Sequence, residues 1–336
     1  MMEWKRKIGI GLFSLFFLFS GISAWAEEMY LVPIGKTVGV TLDMKGVTIV
    51  DTTDVEDYDG KRHTPAKDAS FRSGDSIISI NGVAIQSAKH LEEVVNTQGD
   101  QEMEIVFERQ NQIRQTKAKA ALSNKDGHYR LGIWIKDAAS GIGTVTYYNP
   151  ATKEFGALGH GISEDADEIL PIQGGELWKA SVVSVQKGSR GQPGELIGVF
   201  AEGNEKLGEV SSNTEVGLKG ILTHETESIS DAIPIATRSE VQEGEAEILS
   251  NIEEDKIEAF SVKIQKINKD PNNTKGMIVK VIDEKLLEKT GGIVQGMSGS
   301  PIVQNGKLVG AITHVLVNDP TRGYGIFIEN MLSKVK

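Results

Sequence analysis

Cysteine is absent from the 336 residues, which excludes disulfides, thiol nucleophiles and thiolate metal sites. A surplus of basic charge is also missing: 36 Lys and Arg face 47 Asp and Glu, a net charge of -11. That balance argues against nucleic acid as a partner, which requires a basic footprint, and against electrostatic attachment to anionic lipid. No His-Glu-x-x-His pair or clustered His/Asp set occurs, so neither a metal nor another cofactor is expected. Internal repeats and low-complexity tracts are lacking too. One long apolar run exists, Ile8 to Ile22, preceded by Lys5-Arg6-Lys7 and followed by Ala24-Trp25-Ala26. A basic flank, an apolar stretch and an Ala-x-Ala site make residues 1–26 a signal peptide or a membrane anchor, and the chain an exported one. The stretch from Ile8 to Ala26 is about long enough to span a bilayer if it is retained.

The remaining composition, 39% hydrophobic and 25% charged, is ordinary for a globular protein, and the length suits two domains after the leader. Short strands are expected at 37–42 and 47–50 with a turn over Asp43 to Gly46. Gly74-Asp75, an apolar strand and Asn81-Gly82 then form a hairpin signal. Ser87 stands where it would cap a helix over Lys89 to Val95, and Met103 to Glu108 alternates as a strand. This stretch resembles a PDZ domain, with Val38-Gly39-Val40 where such domains place the backbone loop that captures a peptide terminus. The resemblance implies binding of peptide segments by strand addition, and a PDZ-like α+β domain over 27–121. Arg109 to Asp126 is polar and contains the expected junction.

From Arg130 the texture becomes that of closely spaced short strands with glycine-rich turns. A mainly β fold is expected over 122–336, an all-β barrel or sandwich. The loop Gly296-Met297-Ser298-Gly299-Ser300-Pro301, which resembles the nucleophile loop of chymotrypsin-like peptidases, implies a chymotrypsin-like β-barrel peptidase domain there. Its most informative segment is Gly292-Ile293-Val294-Gln295-Gly296-Met297-Ser298-Gly299-Ser300-Pro301. A serine nucleophile needs a tight turn that exposes its Oγ, with backbone N–H groups aimed at the oxyanion. Gly296 and Ser298 are the expected donors. Serine also needs a base. Of six histidines, His63, His90 and His128 lie in or beside the first domain, and His314 follows the strand after the serine. His160, between Gly159 and Gly161, is the best placed, and His224 is second. Spacing leaves the orienting carboxylate open among Asp165, Asp167, Asp231, Asp283 and Asp319.

The run Thr290 to Pro301, with Thr313-His314-Val315, Asn318-Asp319-Pro320-Thr321 and Gly159-His160-Gly161, resembles the SpoIVB peptidase family. The resemblance implies a His160, Asp283, Ser298 triad and a serine endopeptidase of sporulation signalling, working in the forespore intermembrane space. There it would cut the extracytoplasmic part of a membrane-bound regulator of an intramembrane metalloprotease, and so lead to activation of a late sigma factor. It also implies self-cleavage governed by the PDZ-like domain. An HtrA-like quality-control protease and a non-catalytic PDZ adaptor are the competing readings. HtrA-like proteins carry PDZ domains after the peptidase, whereas here the PDZ-like segment comes first.

Overall fold

Two long strands organise the chain. The structure is a computed structural model that describes residues 29–110, 112–163, 169–201, 205–223 and 228–333. Strand β1 (Thr37–Thr52) and strand β5 (Ile133–Tyr148) each run for 16 residues. Between them the chain forms a small α+β module of β2 (Ser76–Ile80), α1 (Ala88–Gln98), β3 (Glu102–Arg109) and β4 (Gln112–Lys119). β1 and β5 pair antiparallel from Thr52↔Ile133 to Thr37↔Thr144. Each is therefore shared: one end belongs to the module and the other to a barrel.

The sharing has a local cause. Val38, Val40, Leu42 and Met44 alternate on one face of β1 and enter the first barrel core, whereas Val47 and Ile49 enter the module core. Alternation puts every second residue on one face, so the change of parity needs an irregularity. It lies at Gly46, with φ of 87°, where four residues of β1 oppose one of β5 between Thr48↔Lys136 and Asp43↔Ala138. The turn expected over Asp43 to Gly46 is thus a bulge inside one continuous strand. Bulges bend a strand and re-aim its side chains.

Four further strands, β6 (Glu154–Ala157), β7 (Ile172–Gln186), β8 (Lys206–Thr214) and β9 (Gly217–Leu222), complete the first barrel. Pairing runs β1–β5–β6–β9–β8–β7 and back to β1. A second closed six-stranded barrel follows: β10 (Gly244–Glu253), β11 (Lys256–Ile267), β12 (Met277–Val281), β13 (Pro301–Gln304), β14 (Lys307–Val315) and β15 (Arg322–Phe327). Its core includes Phe260, Val262, Ile264, Val279, Ile302 and Ile312. Each such side chain, fully buried, contributes about 1.5–3 kcal/mol.

The expected fold class holds, but three expectations change in detail. The module has no boundary at residue 121, because β1 from Thr37 already belongs to the first barrel and β5 returns to the module at Ile133. The polar stretch expected as a junction contains β4, paired with β3 from Arg109↔Gln112 to Glu102↔Lys119. Val38, Gly39 and Val40 form no peptide-capturing loop. They are buried in mid-strand, flanked by Gly141, Ile142 and Gly143 of β5 on one side and by Leu177, Trp178 and Lys179 of β7 on the other. Their main chain is committed to the barrel. The helix is as expected: the Ser87 Oγ accepts from the His90 N–H at 3.1 Å. The leader lies outside the described residues. No helix among the described residues is long and apolar enough to cross a membrane.

Candidate active site

The nucleophile segment is built by a helix that stops abruptly. Helix α2 (Glu284–Thr290) ends at Gly291 in the left-handed conformation, φ 77°. Gly292 follows so close to Pro320 that a Cβ would stand 2.1 Å from its carbonyl oxygen. The chain then turns at Val294–Met297, closed by Met297 N–H to Val294 O at 3.1 Å. The first barrel holds this turn: Thr144 N–H donates to Ser298 O at 3.1 Å, and Thr144 Oγ1 to Gly296 O at 2.7 Å. Gly299, with φ of 100°, lets the strands meet. A Cβ there would lie 2.0 Å from Thr144 O and 2.6 Å from Leu158 N. Any side chain at Gly299 would push the two barrels apart. No hydrogen bond takes up the Gly296 or Ser298 N–H among the described residues, which leaves both free to serve an oxyanion.

His160 comes from the other barrel. After β6, Leu158 and Gly159 both take positive φ, 68° and 71°, and that reversal carries His160 back over the seam. Its Nδ1 lies 2.8 Å from Gly161 O. An N–H at Nδ1 donating to that carbonyl leaves Nε2 as the proton acceptor. Asn213, which the sequence did not single out, clamps the segment beyond. Its Oδ1 accepts from Ile162 N–H at 2.9 Å, and its Nδ2 donates to Ile162 O at 2.8 Å and Leu170 O at 3.0 Å. A lone Asn on a distant strand carries no sequence signal for such a role.

His160 and Ser298 line one cleft of about 430 Å³ between the barrels. Ser298 Oγ donates to Thr313 O at 2.5 Å and forms no hydrogen bond with His160 in this conformation. To act on the imidazole, the Ser298 hydroxyl would first have to leave Thr313 O. His314 enters the same cleft, its ring centroid 4.4 Å from that of His160. Partial burial first, then the neighbouring His160 and Lys275, draw the His314 imidazole down to about 4.

The structure does not bring Asp283 to His160. Its carboxylate caps α2, accepting from Leu286 N–H at 3.0 Å and from Ser261 N–H at 3.3 Å. Asp283 thereby fixes the helix that delivers the nucleophile turn. No carboxylate among the described residues hydrogen-bonds His160. Asp319 is held by Thr321 and Arg322, and Asp231 does not line the cleft. Asp165, Asp167 and His224 lie outside the described residues. Replacing Asp283 with Asn, itself a good cap, is expected to keep stability and most activity. Replacement with Ala is expected to cost about 1 kcal/mol and to lower turnover by loosening the turn. A folded but inactive Asn variant, seen by melting and peptide turnover together, would instead give Asp283 a direct part in the reaction.

Burial lowers the His160 pKa below the ordinary 6.5, opposed in part by the Gly161 carbonyl. A general base works in its neutral form. The acid limb of kcat/KM on an uncharged peptide is therefore expected to have its midpoint below pH 6.5, with activity fully present above it. A midpoint above 7 would require a carboxylate to join His160 in the working conformation.

An imidazole from one barrel and a hydroxyl on a glycine-bounded turn of the next, sharing one cleft, define a two-barrel serine peptidase. A family model described as SpoIVB peptidase S55 matches residues 127–332. The match covers more than half of the chain, which belongs to that family, a serine peptidase family of sporulation. No curated protein matches. Among solved structures, the PDZ domain of an SdrC-like protein from Listeria monocytogenes is similar at 23% identity, over 28% of this chain and 90% of that one, with a TM-score of 0.23. Agreement of that size carries no argument about the module. No group of three or more His, Asp and Glu side chains placed to hold a metal ion occurs among the described residues.

Proposed function

We propose that this peptidase is exported into the space between the two membranes of the forespore and there cuts the extracytoplasmic part of a membrane-bound regulator of an intramembrane metalloprotease, which leads to activation of a late sigma factor. The observation that carries the reading is the shared cleft of Ser298 and His160, together with membership of a sporulation family. The basic and apolar leader supports export. The reaction runs through an acyl-enzyme. His160 takes the Ser298 proton, the Gly296 and Ser298 amides hold the oxyanion, and His160 returns the proton to the leaving amine. Peptide segments, the chain's own among them, dock on the module by strand addition. The test is to replace Ser298 by Ala in the sporulating host and compare new N-termini among membrane proteins. Loss of one cleavage in a membrane-bound regulator supports the proposal. An unchanged set of termini overturns it.

The cleft also indicates what is cut. Its walls include Ile142, Ile162, Ile293, Val294, Val315 and Val317, and among the described residues no carboxylate or cationic side chain lines it apart from the two imidazoles. A charged substrate side chain entering there would be desolvated without a partner. Peptides with Leu, Met or Val beside the cleaved bond are expected to give kcat/KM at least about ten-fold above those with Asp or Lys. Equal rates across the series would show that the substrate side chain lies elsewhere.

A further inference from the structure

The inference concerns the edge of β5 and rests on the peptidase reading. One edge of β5 is paired with β1 throughout the shared stretch. Its other edge pairs with β6 only from Val145 onward, while the short strand Tyr30–Pro33, at Tyr147 and Tyr148, continues the edge held by β1. From Ile133 to Gly143 that outer edge has no strand partner among the described residues. Open edges of such length are usually covered or blunted, because their free N–H and C=O groups recruit another chain. At about 3.4 Å per residue the open stretch is roughly 34 Å long.

Its two ends lie at two different sites. At the first, Ile133 and Ile135 pack on the module core, Trp134 stands 63% exposed, and Asp137 accepts from the Ala88 N–H at the start of α1 at 2.7 Å. At the second, Gly141 and Ile142 line the cleft with His160 and Ser298, and the next residue but one, Thr144, is bonded to the nucleophile's own carbonyl. One strand therefore leads from the module to the reacting atoms.

We propose that an extended segment of the polypeptide substrate adds to this edge as a strand, spanning module and cleft in one piece. The direction follows from the chemistry. His160 must reach the leaving nitrogen, and His160 comes from the same barrel as β5. The portion C-terminal to the cut bond thus lies along β5 and runs antiparallel to it, towards α1. Main-chain hydrogen bonds supply most of the affinity, so sequence demands along the track are loose. The module holds the substrate about eight to ten residues beyond the bond that is cut.

The full chain with Ser298 replaced by Ala keeps a substrate uncut. Peptides of 16 residues selected on it from a random display library are the probe. Hydrogen exchange of the bound form is expected to slow along 133–143, at both ends together. N-methylation of single amides four to nine residues beyond the cut site should weaken binding about five- to ten-fold at alternate positions only. With the unaltered chain, kcat/KM should climb as the peptide is extended from four to twelve residues past the bond. Protection confined to one end, indifference to N-methylation, or a library that yields no binder overturns the track. Peptides that protect the edge but are never cut by the unaltered chain would refute the peptidase reading while leaving the track standing.

Discussion

Replacing Ser298 by Ala is expected to lower kcat on a cleaved peptide by about 10⁴- to 10⁶-fold, the range for loss of an acyl-enzyme nucleophile. Stability should hardly change. The side chain makes one hydrogen bond, to Thr313 O, and the turn is held through backbone groups of Met297, Ser298 and Gly299. His160→Ala should cost a similar factor, and the double variant little more, because base and nucleophile act as one unit. Progress curves on one peptide, with melting curves for each variant, check both points. A fluorophosphonate should label the unaltered chain and spare the Ala variant. Proteolysis that survives in purified Ser298→Ala would place the nucleophile elsewhere and leave the cleft without a chemical role.

Much of the site could be read from the sequence because glycine is demanding where backbones touch. Gly159, Gly296 and Gly299 all have positive φ, and the neighbours of Gly299 leave no room for a Cβ. A nucleophile turn built that way leaves a dense local signal. The histidine was legible for the same reason. Asp283 was not, because a carboxylate at a helix start reads alike as cap and as catalytic partner, and only coordinates show which amides it meets. Val38-Gly39-Val40 misled by another route. A short apolar strand containing glycine fits a binding loop or a barrel interior equally well, and pairing partners more than a hundred residues away decided it. The parity change at Gly46 was hidden too, since Asp43 to Gly46 between two apolar runs fits a turn joining two strands as well as a bulge within one.

Gly74-Asp75, which carried the resemblance of the first segment to a binding module, turns out to be a structural pin. Asp75 is fully buried. Both its oxygens meet Arg109, Oδ1 from Nε and Oδ2 from a terminal guanidinium nitrogen, each at 2.6 Å, and the Arg72 N–H adds a third bond at 2.8 Å. Gly74, with φ of 86°, donates to Ile49 O of β1. The pin thus ties the end of β3 to the loop before β2 and to β1, beside the core formed by Phe71, Phe107 and Ile77. Asp75→Ala would strand the charge of Arg109, whose side chain is only 15% exposed, and is expected to destabilise by about 3–5 kcal/mol, the range for a broken buried pair. Removing both charges with Asp75→Leu and Arg109→Leu should recover much of that loss, because it is the orphaned charge that costs most. Urea unfolding of the single and double variants measures the coupling. If the single variant loses less than about 1 kcal/mol, as for exposed pairs, water reaches the guanidinium in solution. If it unfolds the module but spares cleavage of peptides too short to reach past Ile142, the two β1–β5 ends are separable, and the barrels alone hold Ser298 against His160.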